Sequence, residues 1–166
     1  MLLAAVLSYA LLSSSQPAPT ENMKTRMQLP AVTVYTESGT AVSTEDFRGE
    51  VLLVNLWAIW CPPCIAELPD LDTLQVRLKD KGVRVVAIAM GKNSAEEVRQ
   101  FFDEKNIGHL EIYTDSDRQV VKRWPNSGIP ESLLFDRRGN LIERFQGIRN
   151  WDSPEMVEKV RALTEQ

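Results

Sequence analysis

This chain of 166 residues predicts an α/β fold, one central β-sheet flanked by helices, on three observations. Two short apolar runs, residues 51–58 (VLLVNLWA) and 83–89 (VRVVAIA), have the length and make-up of strands buried on both faces. Between them Ile65, Leu68, Leu71, Leu74 and Leu78 recur every three or four residues, the stripe of an amphipathic helix. Late in the chain, SLLFDRRGNLIERFQG (132–147) reads as two strands joined by a turn around Gly139 and Asn140. With 43% apolar and 25% charged residues, the chain can bury the core of one domain without covalent staples.

The elements follow in order. SSSQPAPTEN (13–22) is linker-like, and folded sequence is expected from Leu29, so 1–28 reads as a leader or anchor with its linker and 29–166 as one domain. Residues 32–35 and 40–43 flank TESG, a hairpin turn. After the strand at 51–58, a helix starts at the Cys-Pro-Pro-Cys stretch and carries the leucine stripe. Beyond the strand at 83–89, Ser94 and Glu97 form a capping box before Val98, Phe101 and Phe102, and that helix is expected to end near Gly108. Residues 110–113 predict a weaker strand, and 117–124 a short helix stopped by Pro125. Segments 132–135 and 141–145 form the late hairpin. The last helix has Ser153 as cap, Pro154 in its first position, and Met156, Val157, Val160 and Leu163 on its apolar face. There are no internal repeats.

A net charge of -4, with no run of lysines or arginines, offers nothing to a phosphate backbone, so nucleic acid is excluded as a partner. Residues 1–12 (MLLAAVLSYALL) are apolar, and the first charged side chain is Glu21. This is signal-peptide length, with Ser13 and Ser15 as small residues before Gln16, and too short for a confident span. Basic residues ahead of it are missing; export or membrane anchoring is nonetheless the expectation.

Both cysteines, Cys61 and Cys64, lie where a buried strand turns into a helix, separated by Pro62 and Pro63. A closed zinc site needs four ligands, and with the single His109 only three are present. As a staple, so short a loop contributes roughly 2 kcal/mol in the chain-entropy picture, which a domain of this size does not need. A reactive dithiol fits better. With Cys61 as cap and Pro62 as first helical residue, the sulfur faces the positive end of the helix, which favours thiolate. Cys61 is then the nucleophile, and Cys64, one turn on and less exposed, resolves a mixed disulfide. Neither proline has an N-H, so the donors near the Cys61 sulfur begin at Cys64 and Ile65. Thiolate stabilisation is then incomplete, which points to a reductant.

Two stretches, VNLWAIWCPPCIAELP (54–69) and SGIPESLLFDRRGNLIERFQG (127–147), resemble the TlpA/ResA/CcmG group of extracytoplasmic thioredoxin-like thiol-disulfide oxidoreductases. The resemblance runs from about Leu29 to the end. It implies a thioredoxin-like fold with a central mixed sheet, extra N-terminal strands and an inserted helix-strand segment around 89–113. It implies a cis proline at Pro130 packed beside the cysteines, with the backbone of Ile129 pairing with the substrate. Asn55 stands where cytoplasmic thioredoxins carry a buried aspartate, so the proton acceptor lies elsewhere; Glu67, three residues after Cys64, matches the family's tuning glutamate. Glu131 matches a glutamate of cytochrome c maturation members. Trp124-Pro125 departs from the family's aromatic-glycine pair. Trp57 reads as core, Trp60 as groove lining or packing, and His109 as surface loop.

The reading is a thiol-disulfide oxidoreductase that reduces protein disulfides outside the cytoplasm, in a bacterial periplasm or anchored facing it. Cys61, Cys64 and Glu67 carry the catalysis, and Trp60, Pro62, Pro63, Ile129, Pro130 and Glu131 the substrate. No cofactor is required. The partners implied are a disulfide-bearing protein, such as one in cytochrome c or oxidase assembly, and a membrane or soluble thiol donor; a monomer is expected. A thiol peroxidase would need a threonine near Cys61, and none is there. The alternative is a module holding a soft ion such as Cu(I) on the two cysteines.

Overall fold

In a computed structural model that describes residues 27–124 and 128–165, strand β3 (Val51–Trp57) is buried at every position and is an interior strand of a seven-stranded sheet. Its alternate side chains face two cores. Val51, Leu53 and Trp57 point to one side, where helix α1 (Pro62–Leu78) lays down Leu68, Leu71, Leu74 and Leu78. Leu52, Val54 and Leu56 point to the other, packed with Val34, Phe47, Trp124 and Phe135. A strand covered on both faces must be apolar throughout, and this is why the run carries no alternation.

The hairpin β1 (Thr33–Thr36) and β2 (Ala41–Ser43) precedes it, closed by Gly39 N-H to Thr36 C=O at 2.9 Å. After α1 come β4 (Val83–Ala89), α2 (Ala95–Lys105), β5 (Tyr113–Thr114), α3 (Gln119–Arg123), β6 (Glu131–Phe135), β7 (Leu141–Gln146) and α4 (Pro154–Ala162). Strand order is β2-β1-β5-β4-β3-β6-β7. β3 and β4 run parallel, with α1 as their crossover, and β6 and β7 add antiparallel beside β3. Helices α1, α2 and α4 contribute to the first core, α3 to the second. The sheet is mixed, with extra N-terminal strands and an inserted α2-β5 segment, as expected.

Caps read from sequence recur in place. Ser94 accepts from Glu97 N-H at 3.2 Å while the Glu97 carboxylate takes Ser94 N-H at 2.7 Å, and Ser153 accepts from Met156 N-H at 3.3 Å. Gly139 sits at φ 79°, so the β6-β7 turn favours glycine, and a Cβ there would also push aside the end of the Arg48 side chain, 2.8 Å away.

Three boundaries moved. α2 stops at Lys105, before the expected Gly108, because Asn106 takes the left-handed conformation at φ 56°. The strand expected at 110–113 is only Tyr113–Thr114. The Asp72 carboxylate on α1 accepts from the N-H groups of His109 and Leu110, at 2.7 and 2.9 Å, and holds that stretch off the sheet. The short helix is Gln119–Arg123, its leading N-H groups taken by the Asp115 carboxylate. Most of the expected leader and linker, and Pro125, lie outside the described residues. Met27 and Gln28, placed with that linker, pair with Leu141 and Asn140. Among the described residues no helix is long and apolar enough to cross a membrane.

Candidate functional site

β3 delivers the chain to the edge of the sheet, where a turn at 58–61 is closed by Cys61 N-H to Ala58 C=O at 3.0 Å. Cys61 is the N-cap of α1 in extended conformation and Pro62 its first helical residue, a position that needs no N-H. Cys61 and Cys64 are joined by a disulfide, with Cα atoms 5.3 Å apart. Cys61 keeps 4% of its surface exposed and Cys64 none, the expected order. Pro62 and Pro63 are exposed. Ile65 N-H is spent on the Cys61 carbonyl at 3.0 Å. Of the two donors expected near the Cys61 sulfur, only Cys64 N-H is left.

Glu67 stands one turn further along α1 and is only 1% exposed. One carboxylate oxygen accepts from Asn55 Nδ2 at 2.7 Å; the other accepts from Arg149 N-H at 3.1 Å and Trp151 Nε1 at 3.2 Å. Asn55 Nδ2 also donates to Ser132 Oγ at 2.9 Å, across the β3-β6 pairing. Burial pushes the Glu67 carboxyl above the usual carboxylate range, against the pull of Asn55, Arg149 and Trp151. Asn55 Oδ1 is buried with no partner among the described residues. A buried carboxyl with a raised pKa, on the same helix as Cys64, is a candidate proton carrier. Arg149, Trp151 and Ser132 escaped the sequence reading. The signal for Trp151 was a large aromatic two residues ahead of a helix cap.

The Ile129-Pro130 peptide bond is cis. Ile129 packs against both cores, including the one that holds Cys61 and Cys64. The carbonyls on either side, those of Gly128 and Pro130, each accept from Gln146 Nε2 at 3.3 Å, and Pro130 C=O also accepts from Gly147 N-H at 2.9 Å. Glu131 opens β6 with 1% exposure, its carboxylate 3.1 Å from Arg144 on the facing strand. Burial raises its pKa, and Arg144 opposes the rise. The expected substrate residues therefore divide. Trp60, Pro62 and Pro63 reach the surface, Ile129 is half-buried, and Pro130 and Glu131 are inside.

Trp60, 69% exposed, and Ile129 are walls of a groove of about 530 Å³ that also takes in Met90, Gly91 and Val121. Trp57 is core, stacked on Phe102 with ring centroids 5.5 Å apart. His109 is a surface side chain held by Asp72, Nδ1 to carboxylate 2.9 Å. Among the described residues no three His, Cys, Asp or Glu side chains converge as metal ligands. As a disulfide, the cysteine pair offers an ion no thiolate.

The Redoxin family model matches residues 24–162. The thiol-disulfide oxidoreductase ResA of Bacillus thuringiensis subsp. konkukian is 26% identical over 127 residues, 76% of this chain and 72% of that one. The thiol:disulfide interchange protein HelX of Rhodobacter capsulatus is 29% identical over 122 residues, 72% of this chain and 66% of that one. Among solved structures, the thioredoxin domain of a thiol-disulfide oxidoreductase from Bacteroides vulgatus superposes with a TM-score of 0.71 at 22% identity, covering 83% of this chain and 96% of that one. The fold is thioredoxin-like.

Proposed function

The chain belongs to the Redoxin family, and from that premise we propose that it reduces disulfides of protein substrates outside the cytoplasm through a dithiol-disulfide cycle of Cys61 and Cys64. It is a thiol-disulfide oxidoreductase. The observation that carries the reading is the Cys61-Cys64 disulfide at the start of α1, with the buried Glu67 carboxyl one turn behind it.

In the reducing half-cycle the Cys61 thiolate attacks one sulfur of the substrate disulfide. The substrate S-S bond breaks, its second sulfur leaves as a thiolate and takes a proton, and a mixed disulfide remains on Cys61. Cys64 loses its proton through water towards ionised Glu67 and attacks the Cys61 sulfur. The mixed disulfide breaks, the intramolecular disulfide forms, and the substrate departs fully reduced. Two electrons have passed from the protein to the substrate, and a thiol donor, membrane-bound or soluble, restores the dithiol. Trp60, Pro62, Pro63 and Ile129 form the surface the substrate lies on, while Pro130 and Glu131 set its floor from beneath.

The direction of flux is supported by the helix end. With Pro62 and Pro63 lacking N-H groups and that of Ile65 bonded at 3.0 Å, the thiolate of Cys61 has little to hold it, and a poorly held dithiol gives up its electrons readily. The apolar stretch at residues 1–12 supports export or anchoring, and the TlpA/ResA/CcmG-like motifs at 54–69 and 127–147 support a role in assembling cytochrome c or an oxidase. The protein acts as a monomer.

The test is trapping. Reduced Cys64→Ala incubated with insulin should stall as a mixed disulfide through Cys61, visible on a non-reducing gel and released by dithiothreitol. Better trapping by Cys61→Ala reverses the two roles. Lack of insulin reduction by the wild-type protein with dithiothreitol ends the reading.

A further inference from the structure

The groove beside the disulfide has a lining that the exchange chemistry leaves unused. Its floor and walls are apolar: Met90 below, Trp60, Val121 and Ile129 around it. Two cations, Lys92 and Arg118, stand on its rim, both exposed. Among the described residues neither makes an ion pair or a side-chain hydrogen bond, and no carboxylate lines the groove. The acids nearest in sequence to Arg118 are occupied. Asp115 is buried and accepts from the N-H groups of Val120 and Val121, and Asp117 accepts from the Tyr35 hydroxyl.

In a chain with net charge -4, an uncompensated positive rim is a local reversal of sign. The backbone keeps it in place. Arg118 sits at φ 58° as the residue leading into α3, and Gly91 at φ 107° lets the chain before Lys92 turn under Trp60, where a Cβ would stand 3.9 Å from the indole nitrogen. Since Trp60 adjoins Cys61 in the chain, a segment that fills the groove lies beside the sulfur that is exchanged.

We propose that this groove selects protein disulfides whose cysteine is flanked by an apolar residue and by carboxylates, the apolar side chain resting on Trp60 and Ile129 and the carboxylates lying between Lys92 and Arg118. The assignment rests on the reading of Cys61 as the exchanging thiol and adds to it a substrate class, an acidic segment. Each rim contact is an exposed ion pair, so together they give about tenfold discrimination at low salt and lose most of it near 0.5 M, where the Debye length falls to roughly 4 Å.

Two disulfide-bridged peptides, identical except for Asp or Lys two residues from an attacked cysteine that follows leucine, measure this by stopped-flow reaction with the reduced protein. The expected result is about a tenfold faster rate for the acidic peptide at 10 mM salt, collapsing at 0.5 M. In Lys92→Gln/Arg118→Asn, where asparagine tolerates the positive φ, the ratio should fall below about twofold. A wild-type ratio already below about twofold, or a ratio that survives the double substitution, overturns the proposal. The neutral hydroxyethyl disulfide separates the two readings. If the wild-type protein reduces it without discriminating between the peptides, only the substrate class is wrong; if it cannot reduce it, the thiol chemistry itself is wrong.

Discussion

Replacing Glu67 by glutamine removes one charge from the core and little else. The amide oxygen can keep Arg149 N-H and Trp151 Nε1, and the amide nitrogen then faces Asn55. A turn of the Asn55 side chain presents Oδ1, which is buried without a partner, as the acceptor. Residues three apart on a helix have Cβ atoms about 5–6 Å apart, so the carboxylate stands on the order of 7 Å from the Cys64 sulfur. At an effective dielectric of about 20 the repulsion between carboxylate and thiolate is roughly 2.4 kcal/mol, somewhat under two pKa units. Full screening by water would reduce it to about 0.6 kcal/mol, but Glu67 is 1% exposed. Like charge disfavours the second ionisation, so ionised Glu67 raises the thiol pKa values and Glu67→Gln lowers at least one of them. Burial raises the pKa of Glu67 itself, so the groups titrate as a coupled set. Thiolate absorbance near 240 nm against pH, in reduced wild type and variant, reads the effect directly, and disulfide exchange in the variant should be slower. Curves that coincide within about 0.3 units would refute the coupling. The same raised pKa fixes a stability slope. Below the unfolded carboxyl pKa the buried group costs no ionisation; as pH rises through the window between unfolded and folded values, stability is lost. The urea midpoint of the oxidised wild type, relative to that of Glu67→Gln, should therefore fall from acid to neutral pH.

Arg144→Met leaves the Glu131 carboxylate buried without the guanidinium now 3.1 Å away, and should destabilise by about 2 kcal/mol at pH 7, less than a fully buried pair because Arg144 is part-exposed. Since burial already raises the Glu131 pKa, protonation should return most of that loss by pH 4.5; an equal loss at both pH values in urea titrations would contradict it. Equilibration against glutathione and dithiothreitol buffers should give a potential nearer about -270 mV than about -120 mV, and a value above about -180 mV would make the protein an oxidant or isomerase.

What the sequence made legible was local. The double-buried strands, the leucine stripe, both capped helices and the late hairpin depend on neighbours within a few residues, and each lies within two or three residues of its expected place. The thiol pair was legible because proline after cysteine marks a helix start. What sequence reading missed was brought in from a distance. Glu67 follows the spacing of a helix residue that could equally face water; its burial depends on Arg149 and Trp151, 82 and 84 residues away. Asp72 similarly pulls residues 109 and 110 off the sheet across 37 and 38 residues. Glu131 finds Arg144 only through the register of β6 on β7, where Arg144 faces Leu133, two places along. Side-chain pairings at such separations leave no periodicity to read.

The separation between Glu67 and Trp151 also bears on how the protein is made. The cysteines are synthesised long before the partners that bury Glu67, with 84 residues between the two ends of its hydrogen bond to Trp151. At the usual pace of translation that interval is on the order of 4 to 17 s. A nascent chain in that interval carries a Cys-Pro-Pro-Cys with an ordinary thiol and an ordinary solvated glutamate beside it. Chain completion, not the appearance of the sulfurs, then assembles the buried Asn55-Glu67-Trp151 cluster that stands behind the cysteine pair.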